Sequence, residues 1–209
     1  MKIIPLIMLG LLLVTFLINK REQRPRKPRL SGEAHSPSSA SHTVSPPRVH
    51  PHHPDWRIRL EAVKGLAQAD ASTAIASLLE ALSDSDHDVR STARQALQDL
   101  GSLSVAGLLT TLSMGNMLAR EQAATALGII GDPEAVPGLC QALKDESAWV
   151  RRLAAEALGR IGGTTAIAAL ASTLHQDEDR DVRHAAATSL ERIGTSEALK
   201  ALHTSIRHD

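Results

Sequence analysis

From Asp55 onward the polar and apolar positions recur with a period near 31 residues. One register aligns Ile58-Arg59, Val89-Arg90, Ala119-Arg120, Val150-Arg151 and Val182-Arg183, at spacings of 31, 30, 31 and 32 residues. Leu66, Leu97, Leu127, Leu158 and Leu190 make a second column, and Asp70, Gly101, Gly131, Gly162 and Gly194 a third. Leu78, Leu108, Leu139, Leu170 and Leu202 make a fourth, and Leu82, Leu112, Leu143, Leu174 and Ile206 a fifth. Within a unit the spacing becomes helical. Val89, Ala93, Ala96, Leu97 and Leu100 fall on one helix face. Asp86 or Asp88 is placed to cap its start, and Gly101 suits the left-handed position that ends it. Val105, Leu108, Leu109 and Leu112 give the face of a shorter second helix. In the third unit Asp132-Pro133-Glu134 reads as a cap, a first-turn proline and an acidic first turn. One such hairpin cannot bury its apolar face, whereas a stack can. The expected fold is all-α, a right-handed α-α superhelix of about five helix hairpins. Its units lie near residues 55–82, 84–112, 113–143, 144–174 and 175–206 of a domain spanning 55–209.

The pattern before Asp55 is different. Residues 3–18 are an apolar run broken only by Pro5, Gly10 and Thr15. As a helix it rises roughly 24 Å against a ~30 Å hydrocarbon core, and Asn19 and Lys20 extend it by snorkelling. Leu17-Ile18-Asn19-Lys20 offers no small-residue cleavage site, so residues 1–19 read as a retained single transmembrane helix. Residues 20–54 hold a basic cluster, then Pro, Ser and His without a hydrophobic period, and read as a disordered tether. Lys20, Arg21, Arg24, Arg26, Lys27 and Arg29 place the repeat domain on the cytoplasmic side of a single-pass membrane protein by the positive-inside rule. Export of the domain is the alternative.

Charge sharpens this division. Residues 1–54 carry eight Lys/Arg and two acids, whereas residues 55–209 carry fifteen and twenty-one. An acidic repeat domain argues against binding a nucleic-acid backbone, which needs a basic face. Aromatics are almost absent, so the core must be built from Leu, Ala, Ile and Val. A single cysteine, Cys140, excludes an internal disulfide and a cysteine-based zinc site.

The pattern D-x-x-V-R-x-x-A-x-x-A-L-x-x-[IL]-G, followed by a short helix ending in Leu, resembles HEAT repeats of the phycobilisome-lyase HEAT-like subtype. Val89-Arg90 to Gly101, Val150-Arg151 to Gly162 and Val182-Arg183 to Gly194 carry the resemblance, which covers about three-quarters of the chain. It implies a solenoid; the motif residues are those that build the stack. It also implies two enzymatic alternatives, a bilin lyase-like role and a metal-dependent hydroxylase. The hydroxylases of the group use His-Glu dipeptides, and this chain has none. No Gly-rich phosphate loop and no Ser/His/Asp set stands out either. The expectation is a membrane-tethered scaffold for a protein partner rather than an enzyme, with no catalytic residue, cofactor or metal.

Several residues are candidates for contact. Arg59, Arg90, Arg120, Arg151 and Arg183 form a structural ladder, with Asp86, Asp145 and Asp181 as candidate partners. Just before that column, Met117, Leu118, Ala148 and Trp149 stand where other units are mostly polar. They are expected to form an apolar protein-binding patch on one edge. Gly107, Thr110, Thr111, Gln141, Ala168, Ser172, Thr173 and Thr204 are expected to line a small, nearly neutral concave face of second helices. Cys140 reads as a buried apolar residue, and the five tether histidines as a solvated linker.

Overall fold

The computed structural model describes residues 53–206, which are helical with short turns and contain no strand. Their helices are α1 (Trp56–Leu66), α2 (Ala71–Ala81), α3 (His87–Asp99), α4 (Ser102–Met114) and α5 (Met117–Ile130). A 3-10 turn (Pro133–Ala135) precedes α6 (Val136–Ala142). Then follow α7 (Ala148–Ile161), α8 (Thr164–Gln176), α9 (Arg180–Ile193) and α10 (Ser196–Ile206).

The starts of the first helices are set by short polar side chains. Asp55 accepts from the Arg57 N–H, Asp86 from Asp88 and Val89, Asn116 from Ala119, and Asp179 from Asp181 and Val182. Each satisfies backbone donors that have no partner within the helix. Gly131 and Gly194 end α5 and α9 in the left-handed region, at φ 73° and 65°, where a Cβ is disfavoured. The Asp132 cap forms as expected, but it opens a 3-10 turn and not an α-helix. Pro137 has no N–H to give the Pro133 carbonyl, so the α-helical ladder begins only at Val136.

The helices form two layers. In one, α1, α3, α5, α7 and α9 pack in succession; in the other, α2, α4, α6, α8 and α10 do. Each hairpin contributes one helix to each layer, so the core runs lengthwise between them as in a solenoid. The leucine columns fill it: Leu78, Leu97, Leu108, Leu127, Leu139, Leu158, Leu170 and Leu190 are fully buried. Small residues then set the spacing of the first layer. A Cβ on Gly128 would lie 2.7 Å from Ala157 Cα, and one on Gly159 would lie 2.5 Å from Ser189 Cβ. Gln98 occupies the same register in α3, and its Nε2 is buried without a hydrogen-bond partner.

No helix among the described residues is long and apolar enough to cross a membrane. The expected transmembrane segment at 1–19 and most of the tether lie outside the described residues, as do the side chains of Thr204 and Ile206.

Candidate functional site

The turns that join one hairpin to the next share an edge of the stack with the starts of the first helices, and the arginine ladder lies there. In three rungs the guanidinium grips an aspartate about 25 residues ahead through Nε and Nη2. Arg59 holds Asp84 at 2.6 and 2.7 Å, Arg120 holds Asp145 at 2.7 and 2.9 Å, and Arg151 holds Asp177 at 2.8 and 3.0 Å. Nη1 turns back to a carbonyl of the preceding turn: His53, Gly115 and Asp145 respectively. Each aspartate also accepts a backbone N–H two residues on, from Asp86, Ser147 and Asp179. One rung therefore fastens two successive turns.

The ladder's partners differ from two of the three expected. Asp145 is a partner, but Asp86 and Asp181 are not; Asp84 and Asp177 take their places. Asp86 is instead occupied in capping α3, and Asp181 lies in the first turn of α9. Burial pushes the carboxyls of Asp84 and Asp177 up. Hydrogen bonds from their arginines and from backbone N–H groups, with the nearby positive charge, outweigh it and leave both below the usual aspartate range.

Arg90 departs from the pattern. Its Nη1 donates to the carbonyls of Asp84 and Ser85 at 2.7 and 2.9 Å, as in the other rungs. The position in register with Asp84, Asp145 and Asp177 is Gly115, so no carboxylate meets Nε and Nη2. Nε is buried and has no partner. Sequence reasoning overlooked this gap, although the glycine in an aspartate column was its signal. Arg183 makes the same pair of carbonyl bonds, to Asp177 and Glu178; its next turn lies outside the described residues.

The expected apolar patch lies on this edge. Met117 and Trp149 are each 50% exposed, while Leu118 and Ala148 are half-buried. Arg152 lies over the Trp149 ring, 4.0 Å from its centroid. Met114, at 82% exposure, adds to the edge and was missed because it follows the last apolar column of its unit.

Two grooves open between the second helices. One of about 290 Å³ is bordered by Leu109, Ser113, Gly138 and Gln141. The other, about 410 Å³, is bordered by Cys140, Gln141, Ser172, Thr173 and Gln176, and Lys144 lines both. Thr173 is buried in the groove wall and bonded to the Ala169 carbonyl, and Gly107 lies against Leu79. Cys140 is half-buried, and burial pushes its thiol up, away from the reactive thiolate. A third cavity of about 520 Å³ sits beside the first rung, between His53, Pro54, Val63 and Val89. No cluster of three or more His, Cys, Asp or Glu side chains suited to a metal ion occurs among the described residues.

Comparison with known proteins agrees with this architecture. The family description for HEAT repeats matches residues 50–115 and 136–209, more than half of the chain. That for the PBS lyase HEAT-like repeat matches residues 119–145. Phycocyanobilin lyase subunit beta of Pseudanabaena tenuis (strain PCC 7409) is 41% identical over 80 residues, which are 38% of this chain and 28% of that protein. The match thus spans little more than a quarter of that curated relative's length. Among solved structures, the complex of CpcE and CpcF of phycocyanin lyase from Nostoc sp. PCC7120 matches at TM-score 0.59 and 26% identity. That match covers 66% of this chain and 88% of the other. Human deoxyhypusine hydroxylase matches at TM-score 0.50 and 32% identity, covering 57% of this chain and 43% of the other.

These relatives overturn the expectation that the protein is not an enzyme. Two of them are named as lyase subunits, which points to a lyase-type role. The repeat columns could not reveal it, because they hold the residues that build the stack. The two-layered helical stack, its arginine ladder and the matches along its length place this chain in the HEAT-repeat family, in the PBS lyase HEAT-like subtype.

Proposed function

We propose that this chain is one subunit of a lyase-type enzyme that works on a bilin chromophore and its carrier protein, in a complex with a second HEAT-repeat subunit. The observation that carries the reading is the match over 88% of a chain from the CpcE–CpcF complex. In this reading the grooves beside Lys144 supply small polar and apolar surface to the other components. The edge carrying Met114, Met117 and Trp149 supplies apolar anchors for the companion subunit. The raised thiol of Cys140 fits a packing role in the groove wall better than a nucleophilic one.

The test is reconstitution. The full chain, a candidate companion HEAT-repeat subunit, phycocyanobilin and an apo-phycocyanin subunit are combined, each component being omitted in turn. Chromophore absorption that survives denaturation, and that requires both HEAT-repeat chains, is the expected result. Attachment that proceeds equally without this chain would refute the reading.

Membrane attachment through residues 3–18 is a separate proposal, supported by the mostly apolar character of that run, free of charged residues, and the basic cluster after it. Fractionation of cells expressing the full chain and a chain lacking residues 1–30 tests it. Equal recovery of both in the soluble fraction would refute it.

A further inference from the structure

The incomplete rung at Arg90 is a site. The geometry points to a docking fork for the carboxylate of an acidic residue on a partner polypeptide, flanked by apolar contact at Met114 and Met117.

The argument starts from the three complete rungs. In each, Nη1 is fixed by carbonyls of the preceding turn, and the Nε–Nη2 side is occupied by an aspartate carboxylate. Arg90 has the first half of this arrangement without the second. Two carbonyl bonds hold its Nη1, and its Nε is shielded from water yet unbonded. A guanidinium presents its donors in a planar fork that matches a carboxylate two bonds at a time, and shielded cations gain most from such pairing. The neighbouring rungs thus show what fits here: the side chain of an aspartate carried on a polypeptide turn.

The surroundings agree. Glu121 is the nearby acid, and the charge of Arg90 bears on it without a hydrogen bond between them. Burial pushes the Glu121 carboxyl up, against the pull of Arg90 and Arg120, and no hydrogen bond or ion pair joins it to Arg90. Asp86 is turned to the backbone of α3, and Asp84 is gripped by Arg59. Gly115 brings no side chain to the fork. Met114 and Met117 flank that glycine, at 82% and 50% exposure, and offer adaptable apolar contact. Charge complementarity at a half-buried cation with a shielded Nε, set beside exposed methionines, selects an acidic residue with apolar neighbours. This inference does not require the chain to be a lyase subunit.

The test uses the full chain with labelled Arg Nε. Three probes are titrated into the millimolar range: a capped Gly-Leu-Asp-Leu-Gly peptide, the same peptide with Asn for Asp, and sodium acetate. The expected result is a saturating shift of the Arg90 Nε–Hε resonance with the Asp peptide, at least tenfold weaker binding of the Asn peptide, and weaker binding of acetate. Arg90→Lys keeps the charge and loses the fork, and is expected to weaken the Asp peptide at least tenfold. Gly115→Asp supplies the missing carboxylate from within the chain and is expected to abolish binding. A Cβ at Gly115 meets the Thr111 carbonyl oxygen at 2.6 Å, so this variant needs a shift of the turn. If it does not fold, the Asp/Asn comparison on the natural chain decides alone. Equal binding of Asp and Asn peptides, undiminished binding to Arg90→Lys, or acetate binding as well as the Asp peptide would overturn the proposal.

Discussion

Replacing Asp177 with Asn tests the claim that each complete rung fastens two turns. The substitution keeps the size and one carbonyl oxygen of the side chain, so the Asp179 N–H retains its acceptor. What is lost is the charge opposite Arg151, whose Nε and Nη2 now point at 2.8 and 3.0 Å towards the carboxylate. The two side chains are only 9% and 7% exposed, so water replaces little of the loss. Breaking a buried pair costs about 3–5 kcal/mol, and exposed pairs are worth about 0–1 kcal/mol. With one neutral hydrogen bond retained, about 2–3 kcal/mol is expected at neutral pH, read from urea unfolding of the full chain. The pH dependence is the sharper test. The folded-state carboxyl of Asp177 lies below its ordinary value, so its contribution is fully present above the unfolded value of about 3.9. It disappears as pH falls through the lower folded value. The gap between the natural chain and Asp177→Asn should therefore stay constant from neutral pH to about pH 5, then close below about pH 4. A gap under about 0.5 kcal/mol at neutral pH, or one that persists unchanged into acid, would refute the reasoning.

Two further substitutions probe other parts of the structure. Gly159→Ala places a methyl against Ser189 at 2.5 Å and should destabilise the chain by about 1–3 kcal/mol in the same urea measurement. A cost near zero would mean that the α7–α9 spacing is not set by the glycine. Trp149→Ala removes a half-exposed ring stacked by Arg152 and should change stability by less than about 1 kcal/mol, while weakening companion-subunit binding at least tenfold in a co-purification titration. Unchanged binding would remove Trp149 from the interface.

The fold was largely legible because repetition multiplies a weak signal. One leucine at a helical spacing says little, but Leu97, Leu127, Leu158 and Leu190 in one column can only be core, and each is fully buried. The ladder was legible as a column of arginines but not as pairs. Asp84 and Asp86, or Asp177, Asp179 and Asp181, lie within five residues of one another, and only the way successive turns face each other selects the partner. The apolar edge was legible in part. Met117 and Trp149 emerge as predicted, yet Leu118 and Ala148 tuck half under the helix starts. Ile58, in the first described unit, departs from its column: it is 48% exposed, whereas the later members are buried. Chemistry was the least legible, because stacking consumes the recurrent residues and leaves any further role to surfaces without a motif.

The register of α3 holds a consequence for how the molecule yields under load. A stack of this kind behaves as a chain of nearest-neighbour links, and it parts at the weakest one. Between α5, α7 and α9 the links are tight, with glycine set against Ala157 and Ser189. Between α3 and α5 the glycine is replaced by Gln98, whose amide nitrogen is unbonded; Arg94 Nε beside it is unbonded too, and only its Nη1 reaches across, donating to Gln122 at 3.2 Å. The same junction lacks the aspartate that would staple its turns. Warmed slowly, the junction between the second and third hairpins is thus expected to loosen before those that join the third, fourth and fifth. An acidic peptide seated at Arg90 would act as a removable rivet across that joint, tying the stiffness of the repeat stack to whether the peptide is bound.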